Sequence, residues 1–535
     1  MIYINRFFLG IIKQLKKLYL NSRYYDKKIS KVNNNDLVYK PSPHLLSSLI
    51  KYQKKKFKIE DFFFDEIWSQ NSFNHKYKNL NNFYWFFSLD LKSSKQNVQS
   101  VITNWINYNH QYNINNWDFD LTAKRIIAWL SCHNLTYDDS NQNYRNNFNL
   151  MIKKQTNHLI NEINRSEFVD DKLTGCASII LVGLCYQDEK KYVDFGSKLL
   201  KKISKFALDS NGFTKSRNIR QLVFYLKYFI LIREWFKESR ISVPEHIDET
   251  IYYLGQNYAL VWQNSCSDFL FNGNNVSNNK EFDNYLKRFG YKFRNENQDV
   301  GGYIILKNKK ICLAMDVGST PNYDYTKDYQ SGALSFEIIS NGQKLISNCG
   351  YHGKKNAKLN QLSKSTATQS TLIIDDNSSC KFKNIKDDWL VKKGLKILKK
   401  NYIYNKSYWK INASHDGYLK KYNSIHEREI EFYLEQMYFK GIDRIIRKKT
   451  NQNYKFDIRF HVEPKVKLIK TQDKKTILIQ LNDEGWKFTC NNYDINIDNG
   501  LYFGKKNSYT QNQNIFISGI SKKDVENIIW EIKKI

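Results

Sequence analysis

At 535 residues the chain is too long for one ordinary core and implies roughly two to four domains; with 41% hydrophobic and 15% aromatic residues it can offset the chain entropy of folding, which excludes a disordered protein. Its 84 Lys+Arg against 53 Asp+Glu give a formal net charge of +31, a field that gathers acidic polysaccharide, nucleic acid or anionic lipid, although abundant Lys, Asn, Ile and Tyr beside only 5 Pro and 22 Gly is also what an AT-rich genome produces. Eight scattered Cys with no C-x-x-C pair show neither zinc-site spacing nor a disulfide framework, and no apolar run approaches the roughly 20 residues of a bilayer span.

In chain order, residues 1–44 read as an N-terminal extension. Phe7, Phe8, Ile11, Ile12, Leu15 and Leu18 fall on one helical face with Lys13, Lys16 and Lys17 beside them. That pattern fits an amphipathic helix docked on a domain, or one making peripheral membrane contact through residues 1–20. The apolar run is short and is followed by Gln14, Lys16 and Lys17, so a cleavable signal peptide is not indicated. From 45 to 290 the period is helical: Ala123, Ile126, Ile127 and Leu130 step as i, i+3, i+4, i+7, and so do Ala177, Ile180, Leu181 and Leu184, then Leu222, Tyr225, Leu226 and Phe229. Clusters such as DDSNQN and DSNG separate these stripes, which predicts antiparallel helical hairpins. From 291 to 535 the signal is short β-prone runs. GYIILKNKKICLAM and KKTILIQLNDEGWKFTC each read as two strands around a polar turn, REIEFYL alternates Ile430, Phe432 and Leu434, and NIFISGI is a further strand. The class expected is α+β, helices first and an antiparallel β-sandwich second.

The string SGALSFEIISNGQKLISNCG, Ser331 to Gly350, resembles the core strand pair of the heparinase II/III-like C-terminal domain, whose usual form is H-x-H-x-D-x-L-S-F-E followed by G-x-x-L-I-x-x-x-G. KSTATQSTLIIDD, Lys364 to Asp376, is similar to that family's R-x-T-x-A-H-N-T segment, and SHDGY, HERE, KGIDRI and RFHVEP follow in the same order as in a bacterial subgroup of it. In the helical half, WDFDLTAKRIIAWL and DSNGFTKSRN resemble its W-x-x-x-x-x-A-x-R-x-x-x-W helix and D-G-G-x-x-x-R-N turn, so the likeness covers residues 80 to 535. The resemblance implies an (α/α) toroid beside an antiparallel β-sandwich, an acidic polysaccharide as partner, and a location in the cell envelope or periplasm.

A uronate lyase must neutralise the sugar carboxylate, remove the C5 proton and protonate the leaving C4 oxygen. The resemblance places the usual groups on residues that have changed. The family Tyr corresponds to Ile219 or its neighbour, the His of H-x-H-x-D to Gln330 and its Asp to Gly332, the His of A-H-N-T to Gln369, and the toroid Asn to Gly175 through Ala177. Substitutes are available by residue type. His352 and Tyr329 are the candidate catalytic groups; Arg217, Asn218, Arg220, Gln330, Gln369 and Tyr351 are the candidate substrate-binding groups, although Arg217, Asn218 and Arg220 read equally as a solvated surface turn and His352 also as an exposed loop histidine. His415, His426, Glu427 and Arg428 read as a structural polar cluster, and no His/Asp/Glu spacing implies a metal or other cofactor. Two functions compete: a carbon–oxygen lyase acting on acidic polysaccharide, and a non-catalytic binder of polysaccharide or envelope glycan on the same scaffold. The charge also permits nucleic acid, but no recognised nucleic-acid module is present.

Overall fold

The computed structural model describes residues 11–49, 68, 75–166 and 168–535, with short breaks at 13, 91–92, 187–188, 263–267, 278, 354, 386–387 and 449–451. It is an α+β chain, helical in its first half, with a large antiparallel β region after residue 298. Two compact units result, and the chain passes between them more than once: Met1–Phe206, Phe224–Ile251 and Asn279–Tyr291 form one, and Ala207–Val223, Tyr252–Asn278 and Lys292–Ile535 form the other.

In the helical unit, polar caps start the helices where the sequence breaks its apolar stripes. The side chain of Asp118 accepts from the backbone of Leu121 at the head of Phe119–Ser131, and Asn141 accepts from Tyr144 at the head of Gln142–Glu162. The predicted stripe of Ala123, Ile126, Ile127 and Leu130 is fully buried, and in Val169–Cys185 every residue from Leu173 onward is buried, so that helix lies at the centre of the unit. Arg125 is buried within the same layer. Its guanidinium donates to Gln155 Oε1 at 2.7 Å, Asn81 O at 2.9 Å and Asn116 O at 3.0 Å, and lies 4.0 Å from the centre of the Trp105 ring. These contacts tie four separate places in the chain to one side chain. Of the amphipathic N-terminal segment, residues 1–10 and 13 lie outside the described residues. Among those described, Ile12, Leu15 and Leu18 are exposed, Leu20 is buried, and Lys16 pairs with Glu162 at 2.5 Å. No helix among the described residues is long and apolar enough to cross a membrane.

In the second unit, Asp299–Val300, Tyr303–Lys307, Ile311–Asp316, Phe336–Ser340 and Gln343–Ile346 pair in sequence order as a five-stranded sheet. An eight-stranded sheet runs from Ile397–Tyr404 through Tyr408–His415, Ser424–Tyr433 and Tyr438–Arg447 to Val525–Lys534, and then Gly485–Cys490, Thr476–Gln480 and Lys467–Lys470. A four-stranded sheet joins Ile495–Tyr502, Thr510–Ser521, Tyr454–His461 and Leu372–Ile374. All these pairings are antiparallel. Strict alternation explains the arrangement: Ser424–Tyr433 and Tyr438–Arg447 bury every second residue, so each sheet has one face to cover. The faces meet in one core, where Phe336 of the first sheet stacks 5.3 Å from Trp530 of the second and Phe460 of the third approaches the same ring at 5.0 Å.

That core also holds His415, His426 and Arg428 of the expected polar cluster, whereas Glu427 falls on the opposite face of its strand and pairs with Arg444 at 2.7 Å. Arg428 forks onto Asp443 at 2.8 and 3.0 Å, and the indole of Trp530 donates to the same carboxylate at 2.8 Å. His426 donates through Nε2 to Asp443 at 2.7 Å, and its Nδ1 faces His415 Nε2 at 3.3 Å. The fork satisfies a charge that would otherwise be costly to bury.

Buried histidines make this unit sensitive to acid. His461 donates through Nε2 to Ala367 O at 3.0 Å, and burial, reinforced by Arg459, lowers its pKa to about 3. Above the unfolded value near 6.5 both states are neutral; below it the unfolded chain takes a proton the folded chain refuses, so stability drains away as pH falls from about 6.5 towards 3. His461→Gln, which keeps a donor but cannot titrate, should flatten this dependence. Urea unfolding of both proteins across that range measures it, and parallel pH profiles would contradict the account.

Candidate functional site

The turn that the sequence singles out, Arg217 to Arg220, lies in the same unit as Gln330 and Tyr351. Arg217 has φ +62, a left-handed conformation, and its side chain runs between three glycines. A Cβ on Gly302 would come 2.7 Å from its Nε and one on Gly318 would come 2.3 Å from its Cζ. The guanidinium donates to Gly301 O at 3.0 Å, Gly302 O at 2.9 Å, Gly318 O at 3.0 Å and the buried carboxylate of Asp316. All five of its donor hydrogens have an acceptor, so no donor faces solvent for a sugar.

The network continues inward. Asn272 donates to Asp316 Oδ2 at 3.1 Å, and its own side-chain oxygen accepts from the backbone of Gln330 at 3.1 Å. Gln330 accepts from Gly273 N at 3.0 Å through Oε1 and donates to Gly350 O at 2.9 Å and Ser363 O at 2.6 Å through Nε2. Both ends of that amide are occupied by backbone, and the residue is wholly buried. Gln369 is buried too, donating to Thr368 Oγ1 at 3.2 Å. Tyr329 turns the other way, into an apolar cluster with Ala333, Cys380, Val391 and Leu395, where burial raises its phenol well above the ordinary range. Among the described residues its hydroxyl donates to no carboxylate, and it lies 3.4 Å from Thr320 Oγ1, beside the Cys380 thiol. Proximity in sequence to the motif suggested this tyrosine as a proton carrier, but adjacent residues here face opposite sides, and its side points inward.

A second group of candidates converges on a residue that the sequence reading passed over. Asp328 receives Asn218 Nδ2 at 3.1 Å, Arg220 Nη2 at 3.3 Å and the hydroxyl of Tyr351 at 3.1 Å. Burial would raise its pKa, but Arg220, Lys364 and Lys327 outweigh burial and hold the carboxyl below its usual range. The signal was available in the register of H-x-H-x-D: with Gln330 at the second His, Asp328 stands at the first. Asn360 links this group onward, donating to the Tyr351 hydroxyl at 3.1 Å and to His352 O at 2.6 Å.

His352, the other candidate catalytic group, is buried, with 3% of its surface exposed. It lines a cavity of about 320 Å³ with Lys355, Asn356, Asn507, Ser508 and Tyr509. Its Nδ1 lies 2.8 Å from Gly353 O. A carbonyl can only accept, so Nδ1 carries the proton and, in the neutral ring, Nε2 holds the lone pair. Arg220 has a side chain 39% exposed by area, and its Nε is buried without a partner.

The helical unit has its own titratable cluster, which the sequence reading also missed. Burial first, and then the Asp120 carboxylate, raises Asp171 to about 7; Asp120 itself pairs with Lys124. The hydroxyls of Tyr84 and Tyr228 sit 3.3 Å apart in the same unit. Among the described residues no group of three or more His, Cys, Asp or Glu is placed to hold a metal ion.

Residues 292–531 match the family model described as Heparinase II/III-like, C-terminal. The fold is similar to that of a mutant heparan sulfate lyase HepC from Pedobacter heparinus, at 12% identity and TM-score 0.67 over 96% of this chain and 87% of that one. It is similar also to a heparinase III gene product, at 13% identity and TM-score 0.69 over 94% and 85%, and to heparinase III, at 14% identity and TM-score 0.67 over 96% and 89%. At these identities the likeness is one of fold. No curated protein sequence matches the chain.

The geometry around Arg217 changes what its replacement should do. The sequence suggested weaker sugar binding, whereas the structure predicts loss of stability, because Arg217→Ala leaves Asp316 as an unpaired buried carboxylate at a cost of about 3–5 kcal/mol. Arg217→Lys should recover only part, since an ammonium cannot reproduce the fork. Urea denaturation decides; a loss under about 1 kcal/mol, the range of a surface pair, would mean the guanidinium is not structural.

Proposed function

Since the chain belongs to the heparinase II/III-like family through the domain at residues 292–531, we propose that it is a polysaccharide lyase-like protein that binds an acidic, uronate-containing polysaccharide and cleaves it by β-elimination. The observation that carries this reading is the orientation of His352, whose Nδ1 is held by Gly353 O while its ring lines an open cavity with Lys355 and Tyr509. In the proposed step Nε2 of His352 takes the C5 proton, the electron pair of that C–H bond forms the C4–C5 double bond, and the C4–oxygen bond breaks. The departing oxygen takes its proton from the Tyr509 hydroxyl, which the imidazolium then reprotonates. Lys355 on the same wall supplies positive charge for the sugar carboxylate, and the net charge of +31 favours encounter with such a polymer. A cell-envelope or periplasmic location goes with this substrate class.

The alternative, a polysaccharide-binding protein without catalysis, draws on a specific observation: Gln330 and Tyr329, which stand at or beside the family's catalytic His, are both buried and committed to the fold. The test is an assay of purified protein on a panel of uronate polymers, following the ultraviolet absorbance of the unsaturated product, with polymer binding measured in parallel. Wild type should eliminate, and His352→Ala should lower kcat by about 10²–10⁴-fold with binding kept. Elimination that survives His352→Ala would assign the base elsewhere, and binding without elimination on any polymer would establish the non-catalytic reading.

A further inference from the structure

A second cavity in the sheet unit, about 90 Å³, is lined by three lysines, Lys381, Lys393 and Lys421. Lys381 and Lys393 stand directly opposite each other in the two-stranded ribbon Lys381–Ile385/Asp388–Lys393, and both line the cavity. Like charges directly opposite across a strand pair destabilise it. Lys421 completes the lining from the short helix Leu419–Tyr422, donating to the neutral side chain of Asn377 at 2.9 Å. None of the three ammonium groups has a carboxylate partner within 4.0 Å among the described residues. Burial, and then Lys420 and Lys381, push the Lys393 ammonium below its ordinary range, while the nearby Asp416 accepts from the backbone of Lys396 at 2.6 Å.

The floor is polar and carries donors. Ser378 Oγ accepts from Thr366 N at 3.0 Å, which leaves its O–H to donate, and Ser379 Oγ shares a hydrogen bond with Ser331 Oγ at 2.9 Å. Gly417 adds no side chain to the wall, and a Cβ there would come 2.9 Å from Ser379 O. Three ammonium groups and a serine hydroxyl around a small enclosed space form a site with donors on several sides and no acceptor charge at its centre.

We propose that this pocket binds a single oxyanion group, a sulfate ester or a carboxylate of an acidic polysaccharide; the identity of the polymer rests on the reading above, whereas the pocket's taste for an oxyanion does not. Such a group would relieve the repulsion between Lys381 and Lys393 as it binds. The pocket then discriminates among chains by where they carry charge.

The first measurement is thermal unfolding of the full chain titrated with sodium sulfate, against sodium chloride at matched ionic strength. Sulfate stabilises proteins generally by exclusion from their surface, so the comparison is with Lys393→Gln and Lys381→Gln. Wild type should show a saturable rise in Tm above the chloride curve. Both variants should lose the saturable part while unfolding, without sulfate, at the same temperature as wild type or higher, because a repelling charge has gone. Identical sulfate curves for wild type and variants would overturn the proposal, and so would variants that lose sulfate binding only by unfolding early.

The second measurement compares a sulfated uronate oligosaccharide with its chemically desulfated form. A roughly tenfold loss of affinity in Lys393→Gln, as expected for a charge-assisted contact, confined to the sulfated chain assigns the pocket to a sulfate ester; a similar loss for both assigns it to a carboxylate. No loss for either would overturn the polysaccharide assignment. If wild type binds neither chain, the functional reading fails while the inorganic sulfate result still decides whether the pocket takes an oxyanion.

Discussion

The sheet unit depends on the burial of one charge pair, Arg217 with Asp316. A guanidinium is costly to remove from water, and it is tolerated here because three backbone carbonyls, a carboxylate and the gaps left by Gly302 and Gly318 receive it. Through that pair the segment Ala207–Val223, which lies between helices in the sequence, becomes part of the sheet unit. Asn272 then carries the connection from Asp316 to Gln330, and Gln330 carries it to Gly350 and Ser363. The strands that flank the candidate site are therefore held by a continuous polar network, in which removal of any member leaves another buried group without its partner.

Charge neutralisation around this network shapes what the surface can offer. The turn from Arg217 to Arg220 is basic in sequence but not in effect, because Asp316 and Asp328 meet its two arginines. Net charge is thus a poor guide to where an anion would bind. Unpartnered ammonium groups are the better guide, and the ribbon carrying Lys381 and Lys393 gathers them without the counter-charge supplied at the turn.

The sequence disclosed the fold because its signals are local. Helical stripes such as Ala123, Ile126, Ile127 and Leu130, and strict alternation in Ser424–Tyr433, report burial through periods of 3.6 and 2, and both are buried as those periods require. The structural role of His426 and Arg428 was legible for a similar reason: two residues apart in a strand, they share a face with Ile430 and Phe432, and Asp443 on the neighbouring strand supplies the partner, whereas Glu427 falls on the other face. The site was less legible. Whether Arg217 reaches a sugar or a carbonyl depends on glycines about 85 and 100 positions away, and no local pattern encodes that encounter. Tyr329 and Asp328 are neighbours in sequence with opposite fates, one in an apolar cluster and the other bound by Asn218, Arg220 and Tyr351, because orientation is settled by packing.

Gln330 carries the last consequence. An amide can donate and accept at once without titrating, so it can fill a buried position between carbonyls and an N–H at any pH, where an imidazole would have to choose a tautomer and would lose its bonds on protonation. Placing Gln there fixes Gly273, Gly350 and Ser363 around one side chain, and it removes proton exchange from that point in the unit. Any proton chemistry has to move to a group placed at a cavity. Tyr329 and Tyr351 are poor carriers, since burial lifts both phenols far above neutrality. His352 has one nitrogen fixed by Gly353 and its ring lines a cavity. The proposed proton chemistry therefore rests on His352 and Tyr509, which line one cavity, and not on Gln330.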